Sequence, residues 1–469
     1  MSKFIGDRKF YRMVLTVTVP IMIQNGITNF VNLLDNLMVG TLGTEPMSGV
    51  SIVNQLMFVF NLLIFGALAA AGIFMSQFHG KGDDEGERDT FRLKFILVIL
   101  AALGGIAVFR FGGTALIESF LHEGETKGDL ALTLALGQEY LTVMLLGLLP
   151  YAVAQIYASS LRETGHTVVP MLASLAAVVV NCGLNAVLIF GLFGAPTLGV
   201  KGAAVATVIA RCVELFVVVL YTHLCHRQHG FIRGAYRSLR IPRSLVRQIV
   251  AKGLPLMANE VFWAAAVTMT SRCYSLRGLE VIAASNIAST VSQFFNIVYM
   301  SLGAAISIVV GNLLGAGRLE EAEDTDRKMI AFSVLCSVAI GALLAALAPL
   351  FPQLYNTTED ARALAAFMIR VFGLLMPFCA FANAAYFTLR SGGRVLITFV
   401  FDSVFMWALA VPVAFLLTEY TSLSIYWIFP IVQGLEILKC GLGLGMLRQR
   451  TWIRRLVVDD TAIAEEPSA

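Results

Sequence analysis

Charge is what this chain has least of. Of 469 residues only 14% are Asp, Glu, Lys or Arg, while 57% are hydrophobic. No soluble globular domain needs so apolar a sequence. Catalytic signatures are missing too. There is no GxxxxGK[ST], so no phosphate-cradling loop for ATP, and GKG (80–82) and GAG (315–317) are lone glycine turns. Neither HExxH nor GxSxG occurs, which removes the zinc-protease and serine-hydrolase patterns. Seven cysteines form no CxxC and no paired pattern, so they read as small core residues rather than disulfides or metal ligands. The six histidines lie mainly in loops. An enzyme is not expected, nor is a cofactor. Without an ATP site, any active process must run downhill on an ion gradient or on the transported compound itself.

What is present is a succession of apolar runs, each long enough to span a bilayer as a helix. Twelve are expected, at about 13–39, 50–79, 91–111, 130–160, 167–193, 198–224, 249–273, 281–314, 328–350, 362–390, 393–417 and 421–447. The longest should tilt or run on into the loops. The first is no cleavable signal peptide, because it is too long and has no small-residue cleavage site. The fold class is therefore an all-α polytopic membrane protein. Most of the 34 Lys and Arg fall on one side of the expected spans. They include Lys3, Arg8, Lys9 and Arg12, the loop from Lys81 to Lys94, the 225–248 segment and Arg448, Arg450, Arg454 and Arg455. The positive-inside rule then places both termini on the cytoplasmic side, in agreement with an even span count, which requires both on one side, and the expected location is the plasma (inner) membrane.

The chain also repeats. Shifted by 235 residues, Pro20 falls on Pro255, Gln24 on Asn259, Gly43 on Gly278 and Asn61 on Asn296. GKGDDEGERDTFR (80–92) falls on GAGRLEEAEDTDR (315–327). Further on the offset drops to about 228, where Leu161-Arg162 meets Leu389-Arg390 and Gly165 meets Gly393. Two six-span lobes, 1–224 and 249–447, are expected about a pseudo-twofold axis along the membrane normal, with a central cleft and a mid-membrane site. Residues 225–248 read as a basic cytoplasmic linker helix beside anionic head groups, with nucleic-acid binding a remote alternative, and 448–469 as a cytoplasmic tail. Pro20, Pro255, Pro150 and Pro377 sit at matched places and permit helix kinks.

Polar groups inside the spans mark the sites. The first span carries Asp35 and an amide stripe of Asn25, Asn29, Asn32 and Asn36, at helical spacing. A charge near mid-bilayer costs at least about 2.5 kcal/mol on insertion scales, so this face must look into protein or water. Asn181, Asn185 and Ser174 share a face of the fifth span; Asn54, Gln55 and Asn61 lie in the second, Tyr140 in the fourth and Thr207 in the sixth. Together they offer an oxygen-rich surround for Asp35, suited to exchange of a proton or Na⁺. In the second half Glu260 follows Pro255, with Asn259 beside it and Trp263 one turn on; Asn286, Ser289, Gln293 and Asn296 form another polar face. Asp402 lies in the eleventh span, with Trp407, Tyr386, Asn383, Phe294 and Phe295 as aromatic and amide surface. Acids among aromatics suit an amphipathic organic cation, although most such aromatics simply pack. Arg211 with Glu214, and Glu436 with Lys439, are i,i+3 pairs that read as self-neutralising structure.

NFVNLLDNLMVGTLG (29–43) resembles the first-span signature of multidrug and toxic compound extrusion (MATE) transporters, and NCGLNAVLIFGLFGAPTLGVKGAAVATVIA (181–210) resembles their fifth-to-sixth-span motif. The resemblance runs over about 10–447. It implies twelve helices in two lobes and export of mostly cationic compounds against H⁺ or Na⁺. It also implies a first-lobe cation site at Asp35, Asn181, Tyr140 and Thr207. Many members carry a second Asp where this chain has Asn185, which removes a charge. Glu260 resembles the seventh-span Glu of members with a second-lobe site, at a shorter spacing from Pro255. The expectation is a monomeric antiporter of organic cations. A lipid-linked precursor flippase is the alternative, and should carry several cleft cations where this chain has few. A channel or receptor would need no titratable group.

Overall fold

The computed structural model describes residues 4–121, 129–238, 240–355 and 357–457. The described residues fold as twelve long helical elements: α1 (Arg8–Gly40), α2 (Thr44–Lys81), α3 (Asp84–Glu118), α4 (Leu130–Glu163), α5 (Val168–Phe190), α6 (Gly199–Leu224), α7 (Arg243–Ser275), α8 (Leu279–Gly315), α9 (Leu319–Leu347), α10 (Glu359–Ser391), α11 (Val395–Tyr420) and α12 (Ile425–Arg448). Eleven are long and apolar enough to cross a membrane. The remaining one, α7, has the length, but Pro255, Asn259 and Glu260 dilute its apolar run. Several helices start with a side-chain cap: Asp83 accepts from Gly86 N at 2.9 Å, Asp129 from Leu132 N at 3.0 Å and Thr358 from Ala361 N at 3.3 Å. Each cap satisfies a donor that the helix itself leaves unpaired. Pro20, Pro150, Pro255 and Pro377 all lie inside continuous helix. Unlike the others, α11 is not regular: Val400–Val404 and Met406–Ala410 are wide π turns. Such turns are rare and are frequently found at functional sites.

The repeat is visible in the backbone. Gly43 and Gly278 have φ of 128° and 124°, and Gly82 and Gly317 have 73° and 74°. These values favour glycine, so matched glycines mark matched turns between successive helices.

The chain divides into two compact units. One holds Met1–Met22, Ser76–Gly82 and Leu254–Ala469; the other holds Ile23–Met75 and Asp83–Gly253. Three segments thus depart from the expected lobes of 1–224 and 249–447. Packing explains the first: Val14, Val17 and Ile21 of α1 share a core with Leu302, Ile306, Val310 and Met329. Gln77 explains the second, donating to Ser391 O at 3.1 Å and accepting from Leu456 N at 2.7 Å. The third, residues 249–253 of α7, falls in the unit of Asp83–Gly253. The presumed tail is accordingly packed as far as Val457, with Trp452 2% and Val457 4% exposed; residues 458–469 lie outside the described ones.

The 225–248 segment is also not a linker helix. Short 3₁₀ turns at Gly230–Ile232 and Ala235–Arg237 replace it, and α7 starts at Arg243. Phe231, Ile232 and Ala235 are buried, and Phe231 packs on Phe91 at 5.3 Å between ring centroids. Arg92 of α3 donates to Ala235 O at 2.7 Å and Gly234 O at 2.9 Å. The arginine holds backbone carbonyls that no helix satisfies, which fixes the segment to its own unit.

Lys94, fully buried on α3, is held by Ser159, Ser160 and Glu163 of α4. Removing one partner of a buried pair strands the other charge. Lys94→Met should lower stability by about 3–5 kcal/mol, and Lys94→Met with Glu163→Gln should recover most of it. Thermal unfolding in detergent reads both.

Candidate functional site

In the unit of 23–75 and 83–253, α5 carries the centre of the first site. Asn181 and Asn185, one turn apart, are 3% and 1% exposed. Asn185 Nδ2 donates to Asp35 Oδ1 of α1 at 2.5 Å and to Asn181 Oδ1 at 3.1 Å. Asn181 Nδ2 donates in turn to Thr207 Oγ1 of α6 at 3.3 Å. Thr207 also meets the Tyr140 hydroxyl, and Tyr140 donates to Asn54 Oδ1 of α2 at 3.4 Å. The structure therefore joins Asp35, Asn185, Asn181, Thr207 and Tyr140 in one file. Asp35 meets Asn181 through Asn185 rather than directly. Asn32 lies on α1, with its side chain outside the described residues.

Two properties of this file govern its chemistry. Among the described residues no Lys, Arg or His forms an ion pair with Asp35, whose hydrogen-bond donor is an uncharged amide. Asn185 Oδ1 is buried without a hydrogen-bond partner. A carboxylate oxygen and an amide oxygen without a partner are the kind of donors that a hard monovalent cation accepts. No group of three or more His, Cys, Asp or Glu that would hold a multivalent metal occurs among the described residues.

Ser174 does not join this file. It accepts from Gln24 Nε2 at 2.9 Å and donates to Glu214 Oε1 at 2.9 Å. Arg162 donates to Gln24 Oε1 at 3.2 Å. Among the described residues Arg211 and Glu214 form no direct ion pair, and the Arg211 guanidinium lies over the Tyr151 ring at 5.0 Å, but each charge still lies in the field of the other. A second polar node thus sits inside this unit.

The other unit holds its equivalent. Asn259 of α7 donates to Asp402 Oδ2 at 3.2 Å and to the Tyr386 hydroxyl at 3.4 Å, and accepts from Ser403 Oγ at 2.7 Å. Lys439 of α12 donates to Asp402 Oδ1 at 2.7 Å and lies 3.7 Å from Glu436. Glu260 hydrogen-bonds Tyr386 and lies in the field of Arg390. The structure therefore brings Asn259, Asp402 and Glu260 together around Tyr386. It leaves out Asn286 and Gln293, which are exposed on α8, and Trp263. Among the described residues no hydrogen bond joins these three to the cluster. The indole bound to α7 is that of Trp407, donating to Phe262 O at 2.9 Å.

The repeat relates the two nodes residue by residue. Gln24 matches Asn259 at an offset of 235, Arg162 matches Arg390 and Ser174 matches Asp402 at 228, and Arg211 and Glu214 match Glu436 and Lys439 at 225. Both nodes run amide, then position 174 or 402, then position 214 or 439, with the signs of charge exchanged. The drifting offset was the signal by which the sequence could have shown this.

A family model described as MatE matches residues 20–187 and 256–416. A probable multidrug resistance protein NorM from Thermotoga maritima is 25% identical over 464 residues, covering 96% of this chain and 95% of the relative. A probable multidrug resistance protein YoeA from Bacillus subtilis is 24% identical over 430 residues, covering 88% of each. The crystal structure of MATE in the bent conformation matches with a TM-score of 0.84 at 20% identity, over 95% of this chain and 96% of that one. That likeness shows a shared fold.

Asn185→Asp tests the file directly. It sets a second carboxylate against Asp35, and two adjacent carboxylates need a cation between them. Thermal stability in detergent should then rise with Na⁺ or falling pH, by about 1.4 kcal/mol per decade of cation concentration once bound. The wild type, with an amide there, should begin to respond only at higher cation concentration.

Proposed function

The chain belongs to the MatE family, and from that premise we propose that it is a secondary active multidrug exporter. It moves amphipathic, mostly cationic organic compounds out of the cell in exchange for H⁺ or Na⁺. It works as a multi-pass monomer of the plasma membrane by alternating access, with both termini cytoplasmic. The curated relatives carry multidrug resistance names, and the helical architecture is that of MATE structures.

One observation carries the coupling part. Asp35 is held inside the first membrane-spanning helix by an amide and not by a cation. A carboxylate in such a place is balanced only by a mobile positive charge. Asn181, Asn185, Thr207 and Tyr140 supply oxygens and orient the carboxylate, while the coupling ion is the cargo. In the other unit Asp402, Glu260, Asn259 and the Phe401 and Tyr386 rings offer charge and aromatic surface to an organic cation. Against the flippase alternative, the cations of this unit's cluster are already faced by acids, Lys439 by Asp402 and Glu436 and Arg390 by Glu260.

The test is export from proteoliposomes under an imposed ΔpH or an imposed Na⁺ gradient. Asp35→Asn should reduce gradient-driven export to background while the protein still binds compound in detergent. Undiminished export by that variant would remove Asp35 from the mechanism. Glu260→Gln should weaken binding of cationic compounds by about tenfold, near 1.4 kcal/mol, and of neutral analogues much less. Equal losses for both would mark Glu260 as structural.

A further inference from the structure

Lys439 is a buried ammonium, 9% exposed, with two carboxylates in reach and a ring beside it. Asp402 is at 2.7 Å and Glu436 at 3.7 Å. The Phe401 ring centroid is 5.3 Å from Nζ. These three ionised groups sum to one negative charge, so the cluster has room for one more monovalent cation. Asp402 is not needed to build the node. The repeat-related node closes with a hydroxyl, Ser174, in the same position and a carboxylate, Glu214, opposite. Asp402 also lies in a π turn, where the helix departs from its regular path.

We propose that Lys439 is a resident counter-cation, which an incoming monovalent organic cation displaces from Asp402 onto Glu436. Lys439 then acts as a specificity-determining residue for this site. Before the exchange it pairs with Asp402 and leaves the cluster one negative charge, which a monovalent cation cancels and a neutral compound does not. After the exchange the substrate pairs with Asp402 and Lys439 with Glu436, and every charge is matched. A dication at Asp402 would leave one positive charge unpaired, and an anion would leave the carboxylates facing it. The cost of moving Lys439 is small, because Glu436 sits on its own helix one turn away. Phe401 gives the displaced or arriving cation a π face. This inference rests on the reading of the chain as an exporter of organic cations.

The experiment is equilibrium binding to the full chain in detergent, with no gradient present. Its probes are tetraphenylphosphonium and tetraphenylborate, which share a shape and differ in sign. Lys439→Gln removes the competitor and should bind tetraphenylphosphonium at least about tenfold more tightly, with no gain for tetraphenylborate. Glu436→Gln removes the fallback seat and should bind tetraphenylphosphonium about tenfold more weakly. The triple change Asp402→Ser, Glu436→Arg and Lys439→Glu copies the node of the other half and should fold without preferring either sign. Unchanged or weaker tetraphenylphosphonium binding by Lys439→Gln would overturn the proposal. Should Lys439→Gln fail to fold, Glu436→Gln decides alone, and unaltered affinity there overturns it equally. Failure of the exporter reading would show instead in proteoliposomes, as export indifferent to Asp35→Asn, with these affinities unaffected.

Discussion

A charge inside a bilayer has no water to turn to, and that constraint orders this protein more than any other. Each interior carboxylate must be met by protein, and what meets it decides what it can do. Glu163 meets Lys94 and becomes a structural pin between α3 and α4. Glu214 meets the Ser174 hydroxyl, which is itself tied through Gln24 to Arg162. Asp402 meets an ammonium that also has a second place to go. Asp35 alone of these is met by a neutral amide. A hydrogen bond from an amide satisfies lone pairs without cancelling charge, so the positive charge has to come from outside the fold.

The duplication makes that comparison internal. The same three positions, on the same helices of each half, hold Gln24, Ser174 and Glu214 in one unit and Asn259, Asp402 and Lys439 in the other. Helix packing tolerates either set, because each set closes its own hydrogen bonds. Once a scaffold accepts both signs of charge, the sign is free to be set by what the site must bind. The backbone stayed in step while the charges diverged: Gly82 and Gly317 hold φ within a degree of each other.

Much of this was legible beforehand. Twelve spans follow from apolar length, the repeat from identical loop residues, and the interest of Asp35 from its cost in an apolar helix. In the file from Asp35 to Tyr140, helical spacing joined Asn181 to Asn185, and the family resemblance grouped Asp35, Asn181, Tyr140 and Thr207 across helices. Other features were hidden for physical reasons. Ser174 shares a face with Asn181, but helical spacing says nothing of depth, and two turns put it in another node. Lys439 and Glu436 explain each other at i,i+3, so nothing local points to Asp402 on a different helix. The basic 225–248 segment looked solvated by composition, yet one phenylalanine and two arginine-held carbonyls fold it onto α3. The π turns of α11 leave no mark in the sequence at all.

A mobile counter-ion and a tethered one impose different conditions on exchange. Where the balancing charge is mobile, leaving the site empty is costly, so the protein favours states in which an ion is bound. Where it is tethered, the carboxylate already has a partner in the empty site, and a ligand is accepted only if it matches the ammonium it displaces. Coupling is a free energy shared between two bound species and is reciprocal. It needs one site that cannot stay empty and one that can. On the proposed reading, Asp35 with its amide is the first kind of site and Asp402 with its lysine the second, in the two halves of one repeated fold.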